Sequence, residues 1–463
     1  MLEHIKIKVD EKKWEGHPRI TVAGKAGLPE AAKVTPEMLK IRDSRIGIPV
    51  LDKGGGFNRD ITVDNIRQYV MGIGDTNPLF LNEEYAKKTK YGSIIAPGTF
   101  FFSTGGGGYG GAVGGSKEEE EARRKREEER RKRGGVGGAL SGIHGWYSGG
   151  EWEWWRPLYA GTKLWAVGVV RPMVIKKGRM AGGGNIYIDY HDAIQVHADT
   201  RELIGKQLSY SVKAERDEAK GAGKEREKSG YTKPVYTKED WLKILELYDT
   251  EEVRGAEPRY WEDVQIGDKV GPMIKGPLSV RDMTAYIMGA GGPFLGRAHK
   301  IEFMYERAHP RVLDYVEEIG EADVPELVHI FDAYARNIGV ERAYDYGMQR
   351  MGWLCNLFTN WMGDDGFLWK MTGDERAFNQ IGDITFFEGK VTNKYIDEGK
   401  CCVDIEAWAK NQRDMWSMVP KTSTVILPSK EHGAVVYPDP ASKLVEEVKA
   451  ARPLHELIRE GLL

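Results

Sequence analysis

Hydrophobic and polar positions along the chain repeat one order of predicted elements twice. In each half, apolar residues at helical spacing predict a short helix, which is followed by a loop containing glycine and proline. A second helix, led by glycine, is predicted after each loop. In the first half, the short helix is predicted at 65–73, the loop at 74–78 and the second helix from Gly98 onward. In the second half, the same three features are predicted at 280–288, at 289–293 and from Gly347 onward.

Strand-like runs close each half of the chain. They are rich in β-branched and aromatic residues and are separated by turns that contain glycine. These runs lie at 164–171, 185–195 and 206–212 in the first half, and at 385–393, 401–409 and 421–427 in the second. Because strands follow helices within each half, the pattern predicts an α+β fold rather than a doubly wound sheet.

Two stretches interrupt this pattern. Glycine-rich sequence at 105–138 surrounds a charged run at 117–133, where Glu faces Lys or Arg four residues later and predicts a solvent-exposed helix. Since the run has no apolar face, it is either an insertion without chemistry or an arm that docks a partner. The stretch at 213–236 is dominated by Glu, Lys, Gly and Ala over most of its length, and we interpret it as a linker.

The length of 463 residues favours two domains around that linker. We predict an N-terminal domain at 35–212, which carries the insertion, and a C-terminal domain at 255–430. A helical tail is expected at 431–463. The recurrence of one element order in both domains indicates an internal repeat.

Composition narrows the classes of function. The charged share of 30% is mixed in sign and leaves a net charge of −3, so no nucleic-acid partner is expected. Three cysteines without ligand spacing favour a reducing, cytoplasmic compartment. No apolar run approaches the roughly 18 residues of a membrane span. With neither a His/Cys/Glu cluster nor a phosphate-loop or dinucleotide motif, neither a metal nor a cofactor is expected.

The loop after the first short helix reads GDTNPLF at 74–80, followed by YA at 85–86 and IIAPGT at 94–99. In the second half, YWEDVQIGD at 260–268 looks like the opening of a similar domain. This order resembles the MaoC-like acyl-CoA dehydratase and (R)-specific enoyl-CoA hydratase family. The resemblance extends over roughly residues 35–430, apart from the insertion and the linker.

The resemblance implies a double hot-dog fold, with two antiparallel sheets each wrapped around a long central helix. Two copies in one chain then stand in for the usual homodimer, and further homo- or hetero-oligomers are compatible with it. The implied substrate is an acyl thioester of coenzyme A or of an acyl carrier, bound between the copies. In active relatives, an Asp and a His activate water, and a backbone N–H at the start of the long helix stabilises the oxyanion.

Four residues match the implied chemistry. Asp75 stands at the position of the family's catalytic aspartate, although a carboxylate that closes its own turn is the alternative. Gly98 offers an N–H at a helix start for the oxyanion, or simply permits close packing there. Asn77 and Thr99 are candidates for binding the substrate, with a turn cap as the alternative role of Asn77.

The family's histidine is replaced by Phe80, five residues after the aspartate. His144 and His299, both in glycine-containing stretches, are the candidates to replace it as catalytic residues, and structural histidines are the alternative. The adjacent carboxylates Asp364 and Asp365 follow a helix-like run and precede a glycine, so we interpret them as a helix end and turn.

The second half lacks the catalytic pair as well. Aligning Pro293 with Pro78 places Ala290 opposite Asp75 and Leu295 opposite the family's histidine position. The first hypothesis is therefore a lyase that adds water to, or removes it from, an acyl-CoA through a non-standard site. The alternative is a non-catalytic acyl-thioester binder or a subunit of a hetero-oligomeric dehydratase, and a thioesterase is the third.

Overall fold

A computed structural model describes most of the chain. The described residues are 6–14, 17–23, 33–52, 58–104, 118, 121, 140, 143–178, 181–215, 233–291, 297–308 and 312–462. Most of the insertion at 105–138 lies outside them, including the predicted charged helix at 117–133 apart from residues 118 and 121, as does the stretch 216–232 of the predicted linker. Among the described residues, no helix combines the length and the hydropathy needed to cross a membrane.

Thirteen helices are found in the described residues. Those before the linker are α1 (Pro18–Ala23), α2 (Pro36–Asp43), α3 (Val63–Ile73), α4 (Pro78–Leu81), α5 (Glu83–Ala86) and α6 (Phe101–Thr104). Those after it are α7 (Lys238–Asp249), α8 (Val280–Gly289), α9 (Lys300–Ala308), α10 (Asp332–Asn337), α11 (Gly347–Met362), α12 (Ser442–Ala450) and α13 (Leu454–Arg459). The short helices expected at 65–73 and 280–288 are thereby confirmed as α3 and α8.

Local sequence signals set the ends of α3. The Thr62 hydroxyl accepts the N–H of Asn65, whose side chain accepts the N–H of Thr62, so a capping box starts the helix. Gly74 ends it in the left-handed region at φ 64°, which glycine adopts at little cost. This turn points the following residue, Asp75, into the protein, where it is buried.

The strands are numbered along the chain. Those of the first half are β1 (Val50–Asp52), β2 (Ile95–Ala96), β3 (His144–Trp154), β4 (Leu158–Tyr159), β5 (Leu164–Val170), β6 (Val174–Lys177), β7 (Asn185–His197) and β8 (Leu203–Ala214). Those of the second are β9 (Lys269–Lys275), β10 (Asp314–Val316), β11 (Glu321–Asp323), β12 (Phe367–Glu375), β13 (Thr385–Asp397), β14 (Lys400–Asn411), β15 (Trp416–Ile426) and β16 (Arg452–Pro453). All six predicted strand-like runs are confirmed.

Twelve of these strands form one sheet in the described part of the chain. Its order is β16-β1-β5-β7-β8-β3-β12-β15-β14-β13-β9, with β6 paired to β7. An α+β fold is therefore correct. The expectation of two separate sheets needs correction, because β3 of the first half pairs with β12 of the second and joins them.

The β3–β12 pairing is the seam between the two halves. It is antiparallel, and it sets Glu151 opposite Thr372 and Gly150 opposite Gly373. The long helix α11 packs against both seam strands and against β9. Thirteen of its sixteen residues are buried, so it lies in the interior of the protein. In the first half, the helix predicted from Gly98 onward begins as a 3-10 turn at Gly98–Phe100 and continues as α6.

Helices α3 and α8 cross where glycines allow their backbones to touch. A Cβ on Gly72 would lie 2.8 Å from the carbonyl oxygen of Ala285. A Cβ on Gly289 would lie 2.3 Å from the carbonyl oxygen of Gln68. Real Cβ atoms do not approach oxygen so closely, so both positions require glycine at this crossing.

This crossing also sets the register between the two halves. If the two crossing glycines are equivalent, then Gly74 is equivalent to Gly291, and both have left-handed φ angles, of 64° and 70°. This alignment differs by two residues from the alignment through the prolines, which places Ala290 opposite Asp75. The reason is that the second loop reaches its proline two residues sooner after the crossing. In either alignment, no carboxylate stands opposite Asp75 in the second half.

The C-terminal tail packs back onto the first half. It contains α12 and α13, and the short strand β16 between them pairs in parallel with β1, setting Val50 opposite Arg452. The predicted linker begins later than expected, because β8 continues to Ala214. The proposed domain boundaries otherwise stay predictions.

The helix crossing yields a test of stability. Gly72→Ala should lower the free energy of unfolding by about 1–3 kcal/mol, because the added methyl group must displace the backbone of α8. Urea unfolding followed by circular dichroism measures this change. Gly168→Ala in β5 is the matched control, because a Cβ there meets nothing within 4 Å, and its effect should stay within about 0.5 kcal/mol. Equal stability of the two variants would contradict the tight crossing.

Candidate active site

A largely apolar cleft lies between the first-half loop that follows α3 and the second-half helix α11. Its empty volume is about 600 Å³. The first half contributes Asn77, Phe80 and Gly98, and α11 contributes Cys355 and Thr359. An apolar wall with few polar groups is typical of small-molecule sites. Since both halves line it, the site depends on their packing.

Asp75 is two residues before Asn77, is not among the residues that line this cleft, and is only 3% exposed. Its Oδ1 accepts the backbone N–H of Asn77 at 2.9 Å, so the carboxylate closes its own turn, which was the alternative interpretation of this residue from the sequence. Its Oδ2 has no hydrogen-bond partner among the described residues. Burial raises the pKa of Asp75 to about 6, although the Asn77 N–H and the Lys275 ammonium lower it. The carboxyl group can therefore exchange a proton near neutral pH.

A buried lysine from the second half supports the Asp75 loop. Lys275, at the end of β9, donates to the carbonyl oxygen of Gly74 and to Oδ1 of Asn356, both at 2.8 Å. Asn356 also donates to Asn360, whose side chain donates to Glu251. This chain of polar contacts fixes the position of the loop relative to α11 and offsets part of the cost of burying the Asp75 charge.

Gly98 and Thr99 begin the helical turn on the first-half side of the cleft. The carbonyl oxygen of Gly98 accepts from the Trp154 indole at 3.2 Å, and that of Thr99 accepts from Tyr69 at 2.9 Å. A Cβ on Gly98 would lie 2.4 Å from the Trp154 ring, so the close-packing role is also real. Both backbone N–H groups act on the Cys355 thiol and lower its pKa, but burial dominates and raises it to about 12.

Asn77 and Phe80 occupy the wall of the cleft. The Asn77 Oδ1 accepts the N–H of Leu79 at 3.0 Å and caps α4, as the alternative interpretation of this residue proposed. Phe80 is 3% exposed and forms part of the apolar surface at the position where the family has histidine. The first-half loop therefore brings a carboxylate, an amide and an aromatic ring together.

The two candidate histidines lie elsewhere in the fold. His144 is the first residue of β3, and its ring lies 4.5 Å from the Trp146 ring between centroids. His299 is exposed at φ 54°, directly before α9. Neither is among the residues that line the cleft. A catalytic role for either one stays a prediction.

The structure adds Asp364 to the cleft, where the sequence indicated only a helix end. Asp364 is 4% exposed, and its Oδ2 accepts the Tyr85 hydroxyl at 2.6 Å. Burial raises its pKa, whereas the hydrogen bond from Tyr85 and the nearby Asn77 side chain act in the opposite direction. The pairing of a residue after α11 with the first-half helix α5 has no signal in the sequence. Lys275 and Asn356 were missed for the same reason.

In the second half, the start of α11 corresponds to the turn that begins at Gly98, and a side chain covers it. A Cβ on Gly347 would lie 2.6 Å from Oε2 of Glu375, so this carboxyl group covers the first residue of α11. Burial raises the pKa of Glu375 to about 8, while the Arg350 guanidinium lowers it. The two helix starts have therefore diverged in the groups that face them.

Comparisons with known proteins agree with this architecture. Residues 51–191 match the family model described as FAS1-like, dehydratase domain region. Among solved structures, the chain is similar to a MaoC-like dehydratase, with 16% identity, a TM-score of 0.54, and coverage of 83% of this chain and 99% of that one. A search of curated protein sequences gives no significant match.

Two further structures are similar at lower scores. A putative MaoC domain protein dehydratase from Chloroflexus aurantiacus has 12% identity and a TM-score of 0.44, covering 83% of this chain and 96% of that one. The full-length peroxisomal multifunctional enzyme type 2 from Drosophila melanogaster has 10% identity and a TM-score of 0.42, covering 92% and 54%. The family model and the MaoC-like dehydratase confirm that the chain resembles the MaoC-like hot-dog proteins.

The burial of Asp75 predicts a pH-dependent cost. Its folded pKa of about 6 exceeds the ordinary value of 3.8. The unfolded chain therefore loses this proton first, and the folded state loses stability as pH rises from about 4 to 6. One pKa unit corresponds to about 1.4 kcal/mol, so Asp75→Asn should be more stable than wild type by about 3 kcal/mol above pH 7.

Urea unfolding of both proteins between pH 4 and pH 8 measures that difference, which should shrink towards pH 4. Asp64→Asn on the exposed side of α3 is the control, and its stability should stay within about 0.5 kcal/mol of wild type. A wild type as stable as Asp75→Asn at pH 8 would show that the carboxylate is fully compensated.

Proposed function

We propose that this protein is a hydro-lyase that adds water to an enoyl thioester or removes it from a 3-hydroxyacyl thioester. The observation that carries the proposal is the buried Asp75 carboxyl group, whose Oδ2 has no hydrogen-bond partner among the described residues and whose pKa burial raises to about 6. It accepts the backbone N–H of Asn77, which lines an apolar cleft shared by both halves. General acid–base catalysis is most effective when the pKa lies near the working pH.

The proposed chemistry uses Asp75 as the base for hydration. Its carboxylate takes a proton from water while the water oxygen bonds to the β-carbon of the enoyl group. The electron pair of the double bond moves towards the thioester carbonyl, and a proton then reaches the α-carbon. Dehydration runs through the same steps in reverse.

The developing oxyanion would be stabilised at the start of the first-half helical turn. The N–H groups of Gly98 and Thr99 face the region of Cys355, which lines the cleft. Backbone donors held rigidly in an apolar site stabilise such charge without reorganising. Asn77, which also lines the cleft, is placed to hold water or the substrate carbonyl.

The acyl chain would occupy the apolar part of the cleft, with coenzyme A or an acyl carrier outside. We further propose the finer architecture of two hot-dog copies, each around its own central helix, which the seam and the α3–α8 crossing support. The three cysteines are free, which favours a cytoplasmic location.

One observation favours a second candidate function, a non-catalytic acyl-thioester binder or dehydratase subunit. Phe80 closes the place of the family's histidine with an apolar ring, and none of the histidines that the structure describes lines the cleft. A cleft of this kind would bind the acyl group without supplying a second proton-transfer group from that position.

Turnover separates the two functions. Purified protein is assayed with enoyl-CoA and 3-hydroxyacyl-CoA substrates of short, medium and long chain. Asp75→Asn should lower kcat/KM by about 10²- to 10⁴-fold, because it removes the base. The hydration rate of wild type should rise with pH through a midpoint near 6, where Asp75 becomes charged.

Asp64→Asn, on the exposed side of the helix before the loop, should keep wild-type activity. Unchanged activity of Asp75→Asn would remove this residue from the mechanism. Binding of acyl-CoA by calorimetry, without turnover of any substrate, would establish the binder instead.

The histidine candidates are tested in the same assay. If His144 or His299 supplies the second group, its replacement by alanine should reduce kcat/KM by at least about 100-fold. Each variant is compared with His455→Ala, which changes an exposed histidine in the tail. Activity retained in both variants would exclude them.

A further inference from the structure

We propose that Asp364, held by Tyr85, is the second proton-transfer group of the cleft and takes the place of the family's histidine. This inference rests on the proposed hydro-lyase function and names the residue that completes it. Asp364 comes from the second half of the chain, whereas Asp75 comes from the first.

The position of Asp364 fits this role. Unlike Asp75, it lines the cleft directly, and it does so beside Asn77 and Phe80. Its backbone N–H donates to the carbonyl oxygen of Gly255 at 2.8 Å, which fixes the main chain after α11. The side chain is therefore held at the wall of the cleft from both ends.

The two carboxylate oxygens of Asp364 have different surroundings. Oδ2 accepts the Tyr85 hydroxyl at 2.6 Å, whereas Oδ1 is buried and has no hydrogen-bond partner among the residues described. A proton on this carboxyl group is therefore best placed on Oδ1. Burial raises the pKa of Asp364, which favours this protonated form.

Asn77 lies between the two carboxyl groups. Its backbone N–H donates to Asp75, and its side chain acts on Asp364 and lowers the pKa of that group. The two acids therefore flank one residue of the loop, although they come from opposite halves of the chain. Phe80 keeps this part of the wall apolar, which raises the cost of charging both acids together.

The proposed step is balanced by one proton transfer at each carboxyl group. During hydration, Asp75 gains a proton from water as the oxygen bonds to the β-carbon. Protonated Asp364 gives its Oδ1 proton to the α-carbon and becomes a carboxylate. Transfer of a proton from Asp75 to Asp364 through solvent restores both groups, so no other reactant is needed.

The test compares Asp364→Asn, Tyr85→Phe and Asp365→Asn in the enoyl-CoA hydration assay across pH. Asp364→Asn should lower kcat/KM by at least about 100-fold while acyl-CoA binding is retained. The rate of wild type should fall at high pH as Asp364 loses its proton. The Tyr85 hydrogen bond lowers the pKa of Asp364, so Tyr85→Phe should move that fall to higher pH.

Asp365→Asn is the matched control, because it changes the neighbouring carboxylate and leaves Asp364 in place. It should keep kcat/KM within about threefold of wild type. If Asp364 had only a structural role, Tyr85→Phe would not change the pH profile of the reaction. Tyr85→Phe therefore still tests the inference if Asp364→Asn fails to fold.

Two results would overturn the inference. If Asp75→Asn is inactive but Asp364→Asn is fully active, the hydro-lyase stands and Asp364 has no part in it. If wild type hydrates no enoyl-CoA in the panel, the hydro-lyase fails, and the role of Asp364 fails with it. An unmoved pH profile in Tyr85→Phe would count against the pairing of these two side chains.

Discussion

The antiparallel pairing of β3 with β12 is the interaction on which the rest of the structure depends. It joins the strands of both halves into one sheet and packs α11 against the seam. Because α11 belongs to the second half, the seam brings its side chains to the loop that follows α3. The cleft, the support of Asp75 by Lys275, and the contact of Asp364 with Tyr85 all follow from this placement.

Burial gives the site its chemistry. A carboxyl group in water is charged at neutral pH, and its ordinary pKa is far below the range useful for proton exchange. Burial keeps water from Asp75 and raises its pKa, while the Asn77 N–H and Lys275 limit that rise.

The sequence predicted the elements well, because each has a local cause. These causes involve only residues that are close together in the sequence, as in the capping box at Thr62, the left-handed Gly74 and the runs of β-branched residues. The joining of the sheets was not predicted, since no local pattern states which edge strands meet. The alignment through Pro78 and Pro293 differs by two residues from the alignment through the crossing glycines, because the second loop reaches its proline two residues sooner. Asp75 and Gly98 were found through the motif, whereas Lys275 and Asp364 reach the site through contacts more than 200 residues apart.

The pairing of β16 with β1 bears on how the chain folds as it is made. Strand β1 lies near the edge of the sheet, and residues 452–453 cover its open side. An uncovered edge strand exposes unpaired backbone groups that can pair with another chain. During synthesis, the sheet of the first half therefore keeps an open edge until roughly four hundred further residues have emerged. The interval in which the nascent protein is exposed to wrong pairing is set by the position of β16 in the sequence, and not by the stability of the finished fold.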